Sequence, residues 1–227
     1  MTFADKVIEF NRQLGFKGTL PDGIRIMNPF ADSPEALKIS ETFYRKYYND
    51  QNTRKIILGI NPGRFGAGIT GIPFTDTKRL NEKCGITTDG FTSHETSSVF
   101  IYDMIESYGG PEKFYSKYYI NSVCPLGFVK LNNLGREVNF NYYDDRDIAS
   151  RVTELIIFSL QDQVSMGIDT KKAYCLGTGR NFRFLKTLND TLGLFEEIIP
   201  LEHPRYIMQY RLREKENYIK NYIEELE

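Results

Sequence analysis

Four short apolar segments, each closed by glycine, proline or polar residues, constrain this chain most: Lys55–Ile60, Tyr118–Cys124, Ala173–Leu176 and Glu197–Leu201. Runs this short and this apolar suit strands buried on both faces, as in parallel sheets. Helical patterns fall between them. Asp145 can cap a helix whose Ile148, Val152, Leu155, Ile156 and Val164 share one face. Ser33-Pro34-Glu35 opens another toward Tyr47, with cap and first-turn proline in order. Ser97–Tyr108 and Arg180–Leu192 read as two more, and Arg211–Leu226 as a charged terminal helix. This alternation predicts an α/β fold: a single three-layer α/β/α domain around a central, mainly parallel four-stranded sheet. Within residues 1–227, it divides into an N-terminal helical part (1–50), a core (51–210) and a C-terminal helix (211–227). The aromatic stretch Phe43–Tyr48 has roughly helical spacing and reads as packing.

In open α/β sheets, ligands bind beyond the carboxyl ends of the strands. Here those ends read G-I-N-P-G, N-S-V-C-P-L, G-T-G-R-N and E-H-P, and they should converge on one cleft. The longest informative stretch is Gly59-Ile60-Asn61-Pro62-Gly63-Arg64-Phe65-Gly66, continuing to Thr70-Gly71-Ile72-Pro73-Phe74. Its glycines and prolines imply a tightly turned loop with exposed backbone. Asn61 could hold a water through its amide oxygen, and Phe74 could offer a flat face to an aromatic ligand. A plain Gly/Pro turn capped by Asn61 fits the same residues. His203 stands just past a strand end, whereas His94, the other histidine, lies in a polar loop and reads as surface.

Several classes are disfavoured. Gly177-Thr178-Gly179-Arg180-Asn181-Phe182 begins like a dinucleotide fingerprint, but Phe182 takes the third glycine's place and no ribose-binding acid follows. A helix N-terminus there, with Arg180 and Arg183, could still hold a phosphate, as readily as it could be a solvated turn. Ser122 lacks the G-x-S-x-G elbow of a hydrolase. No His/Cys/Asp/Glu cluster has metal-ligand spacing, and Cys84, Cys124 and Cys175 lie too far apart for a cluster or a disulfide framework. No cofactor is expected. No apolar run has membrane-spanning length and the N-terminus has no signal-peptide pattern, so no membrane partner and a cytoplasmic location are expected. A net charge of -1 does not point to nucleic acid, so any DNA contact needs a local basic patch.

Together these segments resemble the uracil-DNA glycosylase superfamily, and within it the single-strand-selective monofunctional enzymes of a bacterial-type branch. Asn-Pro-Gly-x-Phe-Gly followed by Thr-Gly-Ile-Pro-Phe carries the likeness, with Cys124-Pro125-Leu126, the Gly177-x-Gly179-Arg180 turn and His203-Pro204 in the family's order. It spans roughly Lys55 to Tyr210. Mismatch-specific relatives share G-I-N-P-G but lack this histidine. The resemblance implies hydrolysis of the N-glycosidic bond of uracil or a related deaminated or oxidised base in DNA, the first step of base-excision repair. It implies that Asn61 positions the attacking water and His203 is the donor at the base's O2. Gly63, Phe65, Phe74, Ser122 and Asn121 would surround the base. Gly177, Gly179, Arg180, Pro204, Arg205, Tyr206, Met208 and Arg211 would meet DNA. No lysine stands at the water-holding position, so no lyase step is expected, and a monomer is expected.

Two departures from the family pattern matter. The family's base-reading asparagine falls on Ser122, with Asn121 one position earlier. Neighbours on a strand face opposite ways, so the two cannot both serve without a bulge, and the ungapped match favours Ser122. A hydroxyl both donates and accepts, which keeps xanthine and hypoxanthine open as substrates. The family's Ser-Pro-Arg-Asn wedge is replaced by Arg205-Tyr206-Ile207-Met208, in which Arg205, Tyr206 or Met208 could fill the vacated stack. Arg211 and Arg213 could hold flanking phosphates or simply solvate a helix start. A catalytically silent DNA-binding relative and a nucleoside hydrolase are the alternatives; retention of Asn61 and His203 opposes the first, and a basic rim over 205–213 opposes the second.

Overall fold

The computed structural model describes residues 1–88 and 92–227. Its strands, in chain order, are β1 (Ile24–Met27), β2 (Arg54–Gly59), β3 (Tyr118–Ser122), β4 (Gly127–Leu131), β5 (Glu137–Phe140), β6 (Ile168–Leu176) and β7 (Glu197–Leu201). Four form a wholly parallel sheet in the order β3-β2-β6-β7. All of β3 and nearly all of β2 is buried, which requires cover on both faces and explains why these strands read as continuous apolar runs. Helices Arg146–Ser165 and Arg180–Leu192 both pack on β6. One continuous hydrophobic cluster runs from Phe3 in the first helix to Leu226 in the last, and it includes Phe43, Tyr44, Tyr47 and Tyr48.

Local signals set the helix ends. Asp145 accepts the N–H groups of Asp147 and Ile148, as an N-cap aspartate does. Ser33 caps the helix Pro34–Tyr47 with proline in its first turn. The terminal helix differs from expectation. Leu212–Glu214 is a 3-10 turn and the helix proper is Lys215–Leu226. A separate helix, Pro204–Tyr210, precedes it, started by the proline after His203.

A second sheet, not foreseen from the sequence, is antiparallel in the order β1-β4-β5. Its strands are short, and no long apolar run marks them. This sheet brings the end of β5 against the loop after β2, and so forms one wall of the cleft described next.

Candidate active site

The carboxyl ends of the parallel strands lie side by side: Gly59 pairs with Ser122, Leu58 with Cys175, and Leu176 with Leu201. Beyond them opens a cleft of about 760 Å³. Asn61, Gly63, Phe65, Phe74, His203, Arg205 and Tyr206 all line it. Among the described residues, Arg64, Arg205 and Glu95 are the charged side chains on its walls. A locally basic rim therefore exists despite the net charge of -1.

Asn61 is fixed by backbone on both sides of its amide. Its Oδ1 accepts the Tyr142 N–H at 3.2 Å, and its Nδ2 donates to the Phe140 carbonyl at 3.3 Å. These partners define which end is oxygen, and one lone pair of Oδ1 is left for a water.

Phe74 is the one non-glycine residue with positive φ among those described (53°). Left-handed backbone is strained for a bulky side chain, and such strain concentrates at functional sites. The ring it places lies on Gly59, where a Cβ would meet two ring carbons at 3.0 Å. Phe74 and His203 have ring centroids 5.9 Å apart, tilted by 55°. An aromatic ligand can thus lie on Phe74 with one edge at the imidazole.

His203 caps the helix Pro204–Tyr210: its Nδ1 accepts the Arg205 N–H at 3.1 Å. An accepting Nδ1 puts the ring proton on Nε2. Burial first, and then the neighbouring Arg205 cation, hold the imidazole down to about 4, so it is neutral near pH 7. The site offers a neutral N–H donor, not an imidazolium.

Asn181, which sequence reasoning passed over inside G-T-G-R-N, ties these parts together. It is 1% exposed. Its Nδ2 lies within hydrogen-bond distance of the Gly59 and Leu176 carbonyls, at 3.3 and 3.2 Å, and its Oδ1 accepts from Tyr142 Oη at 2.8 Å. Tyr142 is the residue whose N–H orients Asn61. A buried asparagine just past a strand's carboxyl end was the available signal.

The remaining expected residues fall elsewhere. Asn121 is buried and its amide is used internally: Nδ2 donates to Tyr119 Oη at 2.6 Å and Oδ1 accepts the Ser122 N–H at 2.8 Å. Ser122, also buried, ends β3 beside Gly59, and its hydroxyl takes no hydrogen-bond partner among the described residues. Neither lines the open cleft. Gly177 takes φ 111° and Gly179 caps the helix that follows; both lie off the cleft wall. Arg180 is turned toward Asp144 and the Tyr143 ring. Pro204 is buried at the helix start. Arg211 bonds Tyr206 Oη at 3.3 Å and pairs with Glu214. Met208, a wedge candidate by sequence, packs against the hydrophobic core and does not line the cleft. His94, expected as plain surface, is exposed but stands at the cleft rim, 3.3 Å from Asp76.

Glu95 was not anticipated. It stands at the N-cap of the helix Thr96–Tyr108 yet makes no cap bond with its side chain. A longer acid is a poor cap, and this one turns instead into the cleft. A side chain at Gly66 would run into its carboxylate, and one at Gly63 would place Cβ 3.3 Å from its Oε1. Burial, reinforced by Asp76 and opposed by Arg205, pushes its carboxyl up to about 7.

Among the described residues no group of three or more His, Cys, Asp or Glu is placed to hold a metal ion, and no helix is long and apolar enough to cross a membrane. A family model described as the uracil DNA glycosylase superfamily matches residues 45–227. The chain is similar to a solved structure, the crystal structure of wild-type Pedobacter heparinus SMUG2. The two share 53% identity over 99% of this chain and 96% of that one, with a TM-score of 0.96. The likeness therefore includes the N-terminal residues that carry no recognisable motif. No curated protein matches the sequence.

Proposed function

The chain belongs to the uracil DNA glycosylase superfamily, and on that premise we propose that it is a monofunctional glycosylase acting through Asn61, His203 and Phe74. Its substrate is DNA, and the bond it hydrolyses joins a base to deoxyribose. The observation that carries the residue assignment is the convergence of a backbone-locked asparagine, a neutral histidine donor and a strained phenylalanine on one cleft.

Each group answers one demand of the reaction. The base must leave the helix stack, which costs a few kcal/mol. Stacking on an aromatic face recovers about 1–3 kcal/mol, and Phe74 supplies that face. As the C1′–N1 bond breaks, its electron pair passes to the base and charge grows on O2. The Nε2–H of His203 meets that charge; one fixed donor of this kind supplies about 3–4 kcal/mol. Asn61 holds a water through the free lone pair of Oδ1; the water adds to C1′, and the proton it sheds balances the base, which leaves as an anion and is protonated on release. Asparagine is a weak base, which suffices because an oxocarbenium-like sugar needs a placed nucleophile more than a strong one. Among the described residues no lysine lines the cleft, and β-elimination would need an amine there.

Uracil and related deaminated or oxidised bases are the proposed substrates. Arg205 and Tyr206 are the candidates to fill the vacated stack. The test is to incubate the protein with single- and double-stranded oligonucleotides containing uracil, then cleave abasic sites with alkali. Alkali-dependent scission supports the reading. Binding without scission, or activity on free deoxyuridine alone, overturns it.

A further inference from the structure

The small antiparallel sheet borders the cleft and also reaches beyond it. Val138 and Asn139 of β5 line the cleft, and Asn139 Oδ1 accepts the Arg64 N–H at 3.0 Å, which ties this strand to the loop after β2. From there β5 runs back to the turn that joins it to β4. Leu134, in that turn, lies four residues from Val138, about 13 Å at strand spacing.

The turn is locked. Asn132 Oδ1 accepts the N–H groups of Leu134 and Arg136 at 2.9 and 3.0 Å, and the Asn132 N–H donates to the Arg136 carbonyl at 2.9 Å. Gly135, with φ 68°, takes the left-handed position that a side chain would strain. Leu134 is nevertheless 76% exposed. One exposed leucine is ordinary. This one is held in place and continues a series, since Phe65, Tyr206 and Tyr210, also exposed, line the cleft itself.

The charges of the hairpin suit the same partner. Lys130 stands opposite Val138 in the ladder, so the two share a face of the sheet, and period-two alternation puts Arg136 on that face too. Among the described residues neither cation is paired with an acid, while Glu137 is taken by Arg25 at 2.7 Å. The hairpin thus joins uncompensated positive charge to an apolar tip, on a chain of net charge -1.

We propose that the β4–β5 hairpin is a second DNA-contacting element: Leu134 packs on the base and sugar edges of nucleotides flanking the extruded one, and Lys130 and Arg136 hold their phosphates. Minor-groove binders combine the same chemistries, Arg and Lys with an apolar wedge such as leucine. A turn already set adds little ordering cost on binding. This inference rests on the glycosylase reading above, which puts DNA in the cleft.

The experiment measures affinity for a duplex carrying a tetrahydrofuran abasic-site analogue, by fluorescence anisotropy between about 50 and 200 mM salt. Wild type, Leu134→Ala and the double variant Lys130→Ala/Arg136→Ala are compared, with thermal unfolding to confirm that each folds. The double variant should bind more weakly, and the slope of log affinity against log salt should fall by about two, one per phosphate contact. Leu134→Ala should weaken binding by about three-fold or more with the slope unchanged. Both should excise uracil at saturating enzyme within about three-fold of the wild-type rate, since neither change touches the reacting atoms. An unchanged slope in the double variant, or unchanged affinity in Leu134→Ala, overturns the proposal. So does self-association of wild type that Leu134→Ala abolishes in sedimentation, which would make the hairpin an interface between copies. Those outcomes leave the glycosylase reading intact; a wild type that gives no alkali-dependent scission of uracil-containing DNA would instead overturn that reading.

Discussion

The Nδ1 atom of His203 accepts the backbone N–H of Arg205 at 3.1 Å, so the cap of one short helix also fixes which nitrogen faces the cleft. His203→Ala should lower single-turnover excision of uracil by about 10²–10³-fold, the effect of removing one preorganised donor. DNA affinity, measured separately by anisotropy, should change far less. A variant that loses binding and turnover together would assign His203 to binding.

Protonation of the two cleft groups should leave opposite marks on stability. An unfolded chain's imidazole titrates near 6.5 but folded His203 near 4, so the unfolded state binds more protons between those values. Stability from His203 is present above about pH 6.5 and lost as pH falls toward 4. Glu95 runs the other way. Its carboxyl titrates near 7 when folded against an ordinary 4.5, so the folded state binds more protons and stability falls as pH rises through that window. Glu95→Gln removes only the second effect. Its melting temperature should match wild type near pH 4 and exceed it by several degrees near pH 8. A difference constant across that range would contradict the shift.

Phe74 couples backbone strain to the stacking face. Phe74→Gly and Phe74→Ala should both lose excision activity, since neither retains a ring. The glycine variant, relieved of left-handed strain, should recover about 1 kcal/mol of stability relative to alanine in denaturant titrations. Gly59→Ala should displace the ring it supports and slow excision by about ten-fold while the fold persists, because one approach of 3.0 Å can relax by small shifts.

Asn181 acts through others. Asn181→Ala leaves the Tyr142 hydroxyl and two strand-end carbonyls with one partner fewer, which should cost about 1–3 kcal/mol in stability. Since Tyr142 orients Asn61, turnover should fall with substrate affinity largely kept. Equal losses in both would make Asn181 a residue of the fold alone.

The parallel sheet was legible in the sequence because burial on two faces writes itself as uninterrupted apolar runs, as in Ile56–Leu58 and Tyr118–Ile120. Asn61 and His203 stood out because they follow such runs at strand ends, and Phe74 because Pro73 precedes it at the close of the glycine-rich stretch; all three line the cleft. The first half of β6 was not legible, since Asp169 to Lys172 are polar and the register against β2 breaks there, Ile168 lying opposite Arg54 and Ala173 opposite Ile56. The small antiparallel sheet was missed for the same reason. Glu95 was invisible because its role depends on contacts with Gly63 and Gly66, far from it in sequence. The sequence left Arg205, Tyr206 and Met208 as equal wedge candidates because no helix was foreseen over Pro204–Tyr210; that helix turns Met208 toward the core.

The most direct test of the account is single-turnover excision of uracil by Asn61→Ala, His203→Ala and the double variant, read as alkali-dependent strand scission. The account predicts that wild type cleaves only after alkali, that each single variant is slower by about 10²-fold or more, and that all three still bind the oligonucleotide. Wild-type scission without alkali, or either single variant within about three-fold of the wild-type rate, would contradict it.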